Sequence, residues 1–376
     1  MRTERQQTSR HRNHPAADPD YNNVRSPETE NADSQMTTAA TVSGRWLVKA
    51  VLVTVMAAGF ALYCTVCLLF YQGQWQFVFS PPGLVAQRQT KSPDMFAGSW
   101  ARRSGPTAAA HTAMADATAI AASSGLPITD HRFAYTQEGV ATLDGWWIPA
   151  AVNRDNAQRS TSEAARISQT VVLFCHNGHT NLAGNIEALQ AFHSLGVSVF
   201  AFDYRGFGSS QSGHPSQQKA YADGAAALRY LTGMRHIDPQ RIVIYGAELG
   251  AAVAAQTAEQ SPKIAGLILE NPQPSLAKQV KRQEHIHVLP MWLIFPDRFD
   301  ISRIMPTLKM PKLVIATPVL PEYTAGAAAV YKEAIAPKQM VHMDASGMTL
   351  LYTQPGWQQA VRRFLFSVHA PAFPAQ

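Results

Sequence analysis

The feature that most constrains the fold of this chain is an uncharged apolar segment from Ala50 to Tyr71. As a helix rising 1.5 Å per residue, a segment of this length crosses the ~30 Å hydrocarbon core of a bilayer. A buried helix of a soluble domain is one alternative, but such a helix normally carries a polar stripe. A cleaved signal peptide is another, but the segment before the apolar run is too long for one. We therefore predict a transmembrane anchor at 45–71.

The charges around this segment predict its orientation. Arg45 and Lys49 precede it, whereas the first basic residue after it is Arg88. Positive charge is retained on the cytoplasmic side, so the N-terminus is expected in the cytoplasm and the main domain outside it, in the periplasm of a Gram-negative cell. Residues 1–44 are polar without apolar periodicity, which predicts a disordered cytoplasmic tail. The Ala-, Ser- and Pro-rich residues 72–127 predict a linker.

Composition excludes several functional classes. Only 15% of residues are charged and 46% are hydrophobic, and the charged share lies below the ~25% of ordinary soluble chains. The net charge is +6, but Lys and Arg never form a run longer than two, so we predict no nucleic-acid partner. Three cysteines give neither a disulfide framework nor a zinc pattern. We expect no cofactor and no metal.

From residue 128 onward, short apolar runs alternate with helical patterns, which is typical of an α/β domain. We place this domain at 128–370, followed by a tail at 371–376. The predicted strands, of which the first two form an antiparallel pair, are Phe133–Tyr135, Ala141–Ile148, Val171–Cys175, Val197–Phe202, Arg241–Tyr245, Ile264–Glu270, Lys312–Ala316 and Gln339–Met343. The predicted helices are Leu182–Leu195, Pro215–Leu231, Leu249–Gln260, Gly326–Ala334 and Gln358–Phe366.

One segment, 272–309, interrupts the alternation and carries an apolar cluster at 289–295. An insertion at this place in an α/β domain commonly covers the carboxyl edge of the sheet, where ligands bind. We predict that this insertion is a lid. An equally good interpretation is a segment that packs against the domain and has only a structural role.

The sharpest motif is RIVIYGAELG at Arg241–Gly250. A strand, a tight turn flanked by Gly246 and Gly250, and a small-residue helix have the spacing of a nucleophile elbow, which presents its central side chain above the sheet. The central residue here is Glu248, where a serine is expected.

Other segments agree with this frame: VVLFCHNGHTNLAGN at 171–185, VFAFDYRGFGSSQSGHPS at 199–216, LDGWWIPA at 143–150 and DRFD at 297–300. Together with the elbow, they resemble the α/β-hydrolase superfamily, and within it the membrane-anchored serine hydrolases of the esterase or S33-peptidase-like branch. The resemblance covers 128–368 and the anchor. It implies an α/β fold with a mostly parallel eight-stranded sheet, helices on both faces and a lid insertion, preceded by one transmembrane helix.

The resemblance also implies a Ser-His-acid triad, and this chain departs from it at all three positions. Glu248 stands at the nucleophile position, Leu320 near the acid position and Met348 at the base position. Glu322 is an alternative, displaced acid, whereas His342 lies inside a predicted strand and is better explained as an edge histidine. Because three members are replaced, loss of the reaction is the favoured explanation.

Around Glu248, the resemblance implies an oxyanion-like pocket formed by His176, Asn177, Gly178 and the amide of Leu249. A carboxylate would fill or repel such a pocket unless it is paired. A pair between Glu248 and either His176 or His179 is one arrangement, and it would raise the pKa of that histidine. A zinc site on these three side chains is a weaker alternative. Asp203, Arg205 and Glu270 are interpreted as structural residues.

We therefore predict a membrane-anchored protein that has lost hydrolytic activity and binds an unidentified small-molecule or protein ligand. The alternative is an active hydrolase of ester, thioester or amide bonds that uses non-standard residues. A glutamate nucleophile would form a covalent intermediate, and its release needs a base-activated water.

Overall fold

A computed structural model of the protein describes residues 43–79, 122–135, 141–151, 162–283, 290, 294–318, 320–343 and 351–369. Residues 1–42 of the predicted cytoplasmic tail, most of the predicted linker, Met348 and the predicted C-terminal tail lie outside these residues. The chain divides into two compact units, Met1–Ala61 and Leu62–Gln376.

Eight strands form one sheet in the second unit. They are β1 (Thr129–Tyr135), β2 (Ala141–Ile148), β3 (Val171–Cys175), β4 (Ser198–Phe202), β5 (Ile242–Ala247), β6 (Gly266–Glu270), β7 (Lys312–Ala316) and β8 (Lys338–His342). Their order in the sheet is β1-β2-β4-β3-β5-β6-β7-β8. The pairs β1–β2 and β2–β4 are antiparallel, and the remaining pairs are parallel. The predicted strands and the mostly parallel sheet are thereby confirmed.

The named helices of the described residues are α1 (Gly44–Gly73), α2 (Trp75–Val78), α3 (Ser162–Ser168), α4 (Ile186–Ser194), α5 (Gln217–Arg229), α6 (Leu249–Glu259), α7 (Leu276–Gln283), α8 (Pro321–Glu333) and α9 (Pro355–Val368). A 3₁₀ turn at Leu182–Asn185 leads into α4. Helices α8 and α9 begin earlier than the predicted Gly326 and Gln358 because a proline occupies the first turn of each, where its missing N–H is not needed.

The central strands are buried on both faces. Every residue of β3, β5, β6 and β7 is buried, as is expected for parallel strands covered by helices on each side. One core cluster includes residues of α5 and α6, and the other includes residues of α4 and α9. This two-sided burial fixes the carboxyl ends of four neighbouring strands at one edge of the sheet.

Helix α1 is, among the described residues, the helix long and apolar enough to cross a membrane, with a mean hydropathy of 2.2 over its best window. None of its residues is buried. Its large apolar side chains, such as Leu62, Leu68 and Leu69, are exposed.

The first residues of the predicted linker at 72–127 form helix α2 and pack into the second unit. Val78 is 4% exposed and Phe79 is fully buried, and both belong to the core beside α5 and α6. The ring of Phe79 lies 6.1 Å from that of Phe207 and 5.7 Å from that of Phe299. Within the segment assigned to a linker, Val78 and Phe79 are therefore core residues.

The insertion at 272–309 is described in part. Of its apolar cluster, Ile294 and Phe295 are buried in the structure, whereas residues 289 and 291–293 lie outside the described residues. Asp297 accepts a hydrogen bond from the amide of Gln217, and the Gln217 side chain accepts one from the amide of Phe299. These bonds join the insertion to the first turn of α5.

The buried position of Phe79 generates a stability prediction. Phe79→Ala should lower the free energy of unfolding by about 3–5 kcal/mol, because it removes a large, fully buried ring. Chemical unfolding of the full chain in detergent, followed by tryptophan fluorescence, measures this. The matched control is Met234→Ala, since Met234 is 74% exposed. Equal, small effects of both changes would contradict the placement of Phe79 in the core.

Candidate functional site

The candidate site is built on the turn between β5 and α6. Glu248 sits at its centre with φ 52° and ψ −111°, a backbone conformation that non-glycine residues rarely adopt. Its amide donates to the carbonyl of Glu270 at 2.8 Å, and its carbonyl accepts from the amide of Ala251 at 3.1 Å. Strain of this kind costs about 1–3 kcal/mol and concentrates at functional sites. The turn therefore has the geometry of a nucleophile elbow.

Two glycines make this turn possible. A Cβ on Gly246 would overlap the backbone of Gly250, and a Cβ on Gly250 would overlap the carbonyl oxygens of Cys175 and His176. Helix α6 can approach β3 and β5 this closely only because both positions lack a side chain. The glycines of the motif thus have a packing role that is independent of the residue between them.

The side chain of Glu248 is largely buried and is paired. The Nε2 of His179 lies 3.4 Å from its Oε2, with the side chains 47% and 10% exposed. Desolvation lowers the pKa of His179, but the hydrogen bond and the charge of Glu248 outweigh it, so the pKa is raised. The hydroxyl of Tyr323, at the start of α8, also interacts with Glu248. The Glu–His pair weighed from the sequence is therefore present, and it uses His179.

The turn after β3 positions this histidine. The Oδ1 of Asn177 accepts a hydrogen bond from the amide of His179 at 3.0 Å. The amide of Gly178, in a left-handed conformation with φ 79°, donates to the Nδ1 of His176 at 3.2 Å. A Cβ on Gly178 would lie 3.1 Å from Leu249. The four residues of the predicted oxyanion-like pocket thus lie side by side, and the Gly178 amide already has a partner.

His176 has a structural role rather than a place beside Glu248. Its ring is fully buried, with Nε2 at 3.4 Å from the amide of Tyr204 and 3.7 Å from Oδ1 of Asp203. Burial, together with a smaller contribution from the charge of His179, lowers the pKa of His176 to about 3. The ring is therefore neutral at neutral pH. Arg205 likewise serves structure, because its Nε pairs with Asp223 at 2.6 Å.

A second buried carboxyl lies at the end of β6, next to the elbow. The Oε2 of Glu270 accepts from the hydroxyl of Tyr245 at 2.8 Å, and its Oε1 accepts from the hydroxyl of Tyr352 at 3.1 Å. Burial raises the pKa of Glu270, the two phenol hydrogen bonds oppose this shift and the charge of Glu248 adds to it, and the net pKa is about 7. Tyr323, Tyr245 and Tyr352 were not predicted as site residues from the sequence. The one sequence signal that could have pointed to such partners is Glu270, a glutamate that ends an otherwise apolar strand.

The acid position contains no partner for a triad in the described residues. Leu320 is the residue before α8, and its aliphatic side chain cannot accept a proton. Glu322 lies in the first turn of α8, where its carbonyl accepts from Gln273. His342 is exposed on β8, the edge strand, as expected for an edge histidine. The position of Met348 stays a prediction, since it lies outside the described residues.

The weaker zinc alternative finds no support in the described part of the chain. No group of three or more His, Cys, Asp or Glu side chains there is arranged to hold a metal ion. His176, one of the three ligands considered, uses its ring nitrogens beside Tyr204 and Gly178 instead.

Comparisons with known proteins agree with this architecture. Residues 167–346 match a family model described as "Serine aminopeptidase, S33" (Hydrolase_4). An uncharacterized protein of Mycobacterium tuberculosis is 36% identical over 195 residues, which are 52% of this chain and 63% of that protein. Protein bem46 of Schizosaccharomyces pombe is 37% identical over 106 residues, or 28% of this chain and 35% of bem46. The chain thus matches less than two thirds of the length of these relatives.

Solved structures show the same fold. The Pyrococcus furiosus esterase Pf2001 superposes with a TM-score of 0.51 at 19% identity, covering 66% of this chain and 95% of the esterase. An alpha-beta hydrolase from Vibrio vulnificus gives a TM-score of 0.50 at 19% identity, covering 68% and 84%. With the elbow and the sheet order, these matches define the protein class as an α/β-hydrolase-fold protein. The described part of the chain therefore has the α/β-hydrolase fold, and residues 167–346 are similar in sequence to the S33 serine aminopeptidase model.

The close approach at Gly250 generates a prediction about the elbow. Gly250→Ala should lower the free energy of unfolding by about 1–3 kcal/mol or more, because the added methyl group must displace the backbone of β3. The control is Gly233→Ala, where a Cβ would meet nothing within 4 Å. Urea unfolding of both variants measures the difference. A Gly250→Ala variant as stable as the control would refute the packing explained above.

The raised pKa of Glu270 generates a pH prediction. Its pKa is about 7 in the folded protein and 4.5 ordinarily, so between these values the folded state holds a proton that the unfolded chain releases. Stability therefore falls as pH rises through this window, by at most about 3 kcal/mol. Glu270→Gln should reduce this fall, and Glu333→Gln, which changes an exposed glutamate, should not. Denaturant unfolding at pH 5 and pH 8 measures it; identical pH dependence in all three proteins would contradict the shift.

Proposed function

We propose that this protein is a membrane-anchored member of the α/β-hydrolase superfamily that has lost hydrolytic activity. It acts by binding a small-molecule or protein ligand at the carboxyl edge of its sheet, next to the elbow. The observation that carries the proposal is the pair between Glu248 and His179 at the centre of the elbow. In a serine hydrolase this position supplies the attacking hydroxyl. Here it supplies a carboxylate that is already held by a cation.

The protonation state of His179 argues against general-base catalysis. A general base must have a free lone pair at the working pH. Because Glu248 raises the pKa of His179, the imidazole is protonated over a wider pH range than a free histidine. An imidazolium stabilises the carboxylate and cannot take a proton from water.

The alternative function is hydrolysis with Glu248 as the nucleophile. Its support is the same short distance, since His179 is the titratable partner within 3.4 Å of the carboxylate. Attack by Glu248 on an ester carbonyl carbon would break the C–O bond to the alcohol, which leaves as an alkoxide and takes a proton from water, and would leave a mixed anhydride on Glu248. Hydrolysis of this anhydride would require His179 to lose its proton and activate water. Such an enzyme would gain activity as pH rises above the raised pKa of His179.

The membrane anchor belongs to the same proposal. Helix α1 has the length and hydropathy of a span, and none of its residues is buried. Lys49 and Arg45 at its first end favour a cytoplasmic N-terminus and an extracytoplasmic hydrolase-fold domain. In a Gram-negative cell that domain would lie in the periplasm.

The proposal predicts an absence of serine-hydrolase reactions. The full chain in detergent should not react with a fluorophosphonate probe at the elbow and should not release p-nitrophenol from short- or long-chain p-nitrophenyl esters above the buffer rate. The matched comparisons are Glu248→Ala, Glu248→Ser and His179→Ala. Turnover by the wild type that disappears in both Glu248→Ala and His179→Ala would overturn the proposal and establish the glutamate-nucleophile alternative.

A further inference from the structure

The segment that follows the apolar helix is docked on a particular edge of the hydrolase-fold domain. The ring of Trp75, in α2, lies 4.7 Å from that of His214, in the segment after β4. Helix α2 also contacts α7, in the segment after β6. Both segments leave the carboxyl ends of parallel strands, so α2 lies on the carboxyl edge of the sheet. Glu248 lies on this same edge, at the end of β5.

The end of the apolar run reaches this edge too. The ring of Phe70 lies 6.2 Å from that of Phe295 in the insertion, and Phe70 is one residue from the end of the uncharged segment. From Tyr71 to Trp75 is about 6 Å of helical rise. If α1 spans the membrane, as the proposed function states, the bilayer surface lies at the level of Phe295 and α2. The inference below rests on that part of the proposed function.

The composition of α7 suits a bilayer surface. Leu276 and Ala277 pack against the core, and Lys278 is exposed. The helix reads LAKQVKRQ, with three basic residues and no acidic one. Basic residues beside an apolar anchor are attracted by anionic lipid headgroups within a Debye length of the surface. An exposed Arg298 lies in the same insertion.

We propose that α2 and α7, together named the α2–α7 platform, bind the bilayer surface through anionic phospholipid headgroups. The carboxyl edge of the sheet, with Glu248, then faces the membrane, and the amino edge faces the aqueous side. The platform is continuous with the anchor, which keeps it at the headgroup layer.

The test places one fluorophore on each edge of the full chain. Cys64→Ser and Cys67→Ser remove the accessible thiols, while Cys175 is fully buried. Lys278→Cys puts a bimane label on the platform, and Lys263→Cys puts the same label before β6, at the amino edge. Both lysines are exposed. The proteins are reconstituted in phosphatidylcholine–phosphatidylglycerol nanodiscs containing a lipid with a nitroxide on its headgroup.

The expected result is that the label at position 278 loses most of its fluorescence to the headgroup quencher, whereas the label at 263 loses little. Quenching at 278 should fall when phosphatidylglycerol is omitted, since the two basic residues of α7 that remain in this variant then lose their anionic partners. Equal quenching at both positions, or stronger quenching at 263, would overturn the inference. Quenching at 278 that ignores phosphatidylglycerol would overturn the choice of anionic headgroups.

A separate measurement distinguishes this inference from the proposed function. Flotation of the same proteins with carbonate-washed vesicles reports anchoring alone. Chains that float but show no difference between the two labels retain the anchor and refute the platform. Chains that stay with the soluble fraction refute the anchor, and the platform with it. Neither outcome depends on the p-nitrophenyl ester assay.

Discussion

The strained backbone at Glu248 is the constraint on which the rest of this site depends. A residue with φ 52° and ψ −111° is held there because α6 packs closely against β3 and β5, and that packing needs Gly246 and Gly250. The burial of the central strands on both faces supplies the free energy that maintains the strain. The elbow is therefore a property of the fold. This chain keeps the elbow although its central side chain, a glutamate, has no hydroxyl group to act as a serine nucleophile.

A carboxylate in this position has to be compensated, and the compensation organises its surroundings. His179 supplies a cation from the turn after β3, and Tyr323 supplies a hydroxyl from the start of α8. Glu270 lies behind the elbow between two phenols, and its pKa of about 7 favours its neutral form in acid. Two carboxyls at neighbouring strand ends are tolerated because one is paired and the other readily holds a proton.

Most of the fold was predictable because its signals are local. Fully buried parallel strands such as β3 and β5 read as apolar runs, and the glycines of the elbow mark the turn between β5 and α6. The pairs around Glu270 were not predictable in the same way, since Tyr245 and Tyr352 are 107 residues apart and meet only in the folded domain. Phe79 was placed in a linker for a related reason: an aromatic residue after an apolar helix suits a membrane interface and a protein core equally well, and its ring partners Phe207 and Phe299 are distant in sequence. Glu248 was identified from its motif, but the sequence left both His176 and His179 as candidate partners. Only the folded turn at Asn177 shows that the partner is His179.

The central claim is that the elbow carboxylate is held in an ion pair with His179. The most direct measurement is the pKa of His179, obtained from an NMR titration of the imidazole signals in the full chain and in Glu248→Gln. The account predicts a pKa above the ordinary 6.5 of histidine in the wild type and a lower value in the variant, where the charge is removed and the shape is kept. A His179 pKa that is the same in both proteins would contradict it.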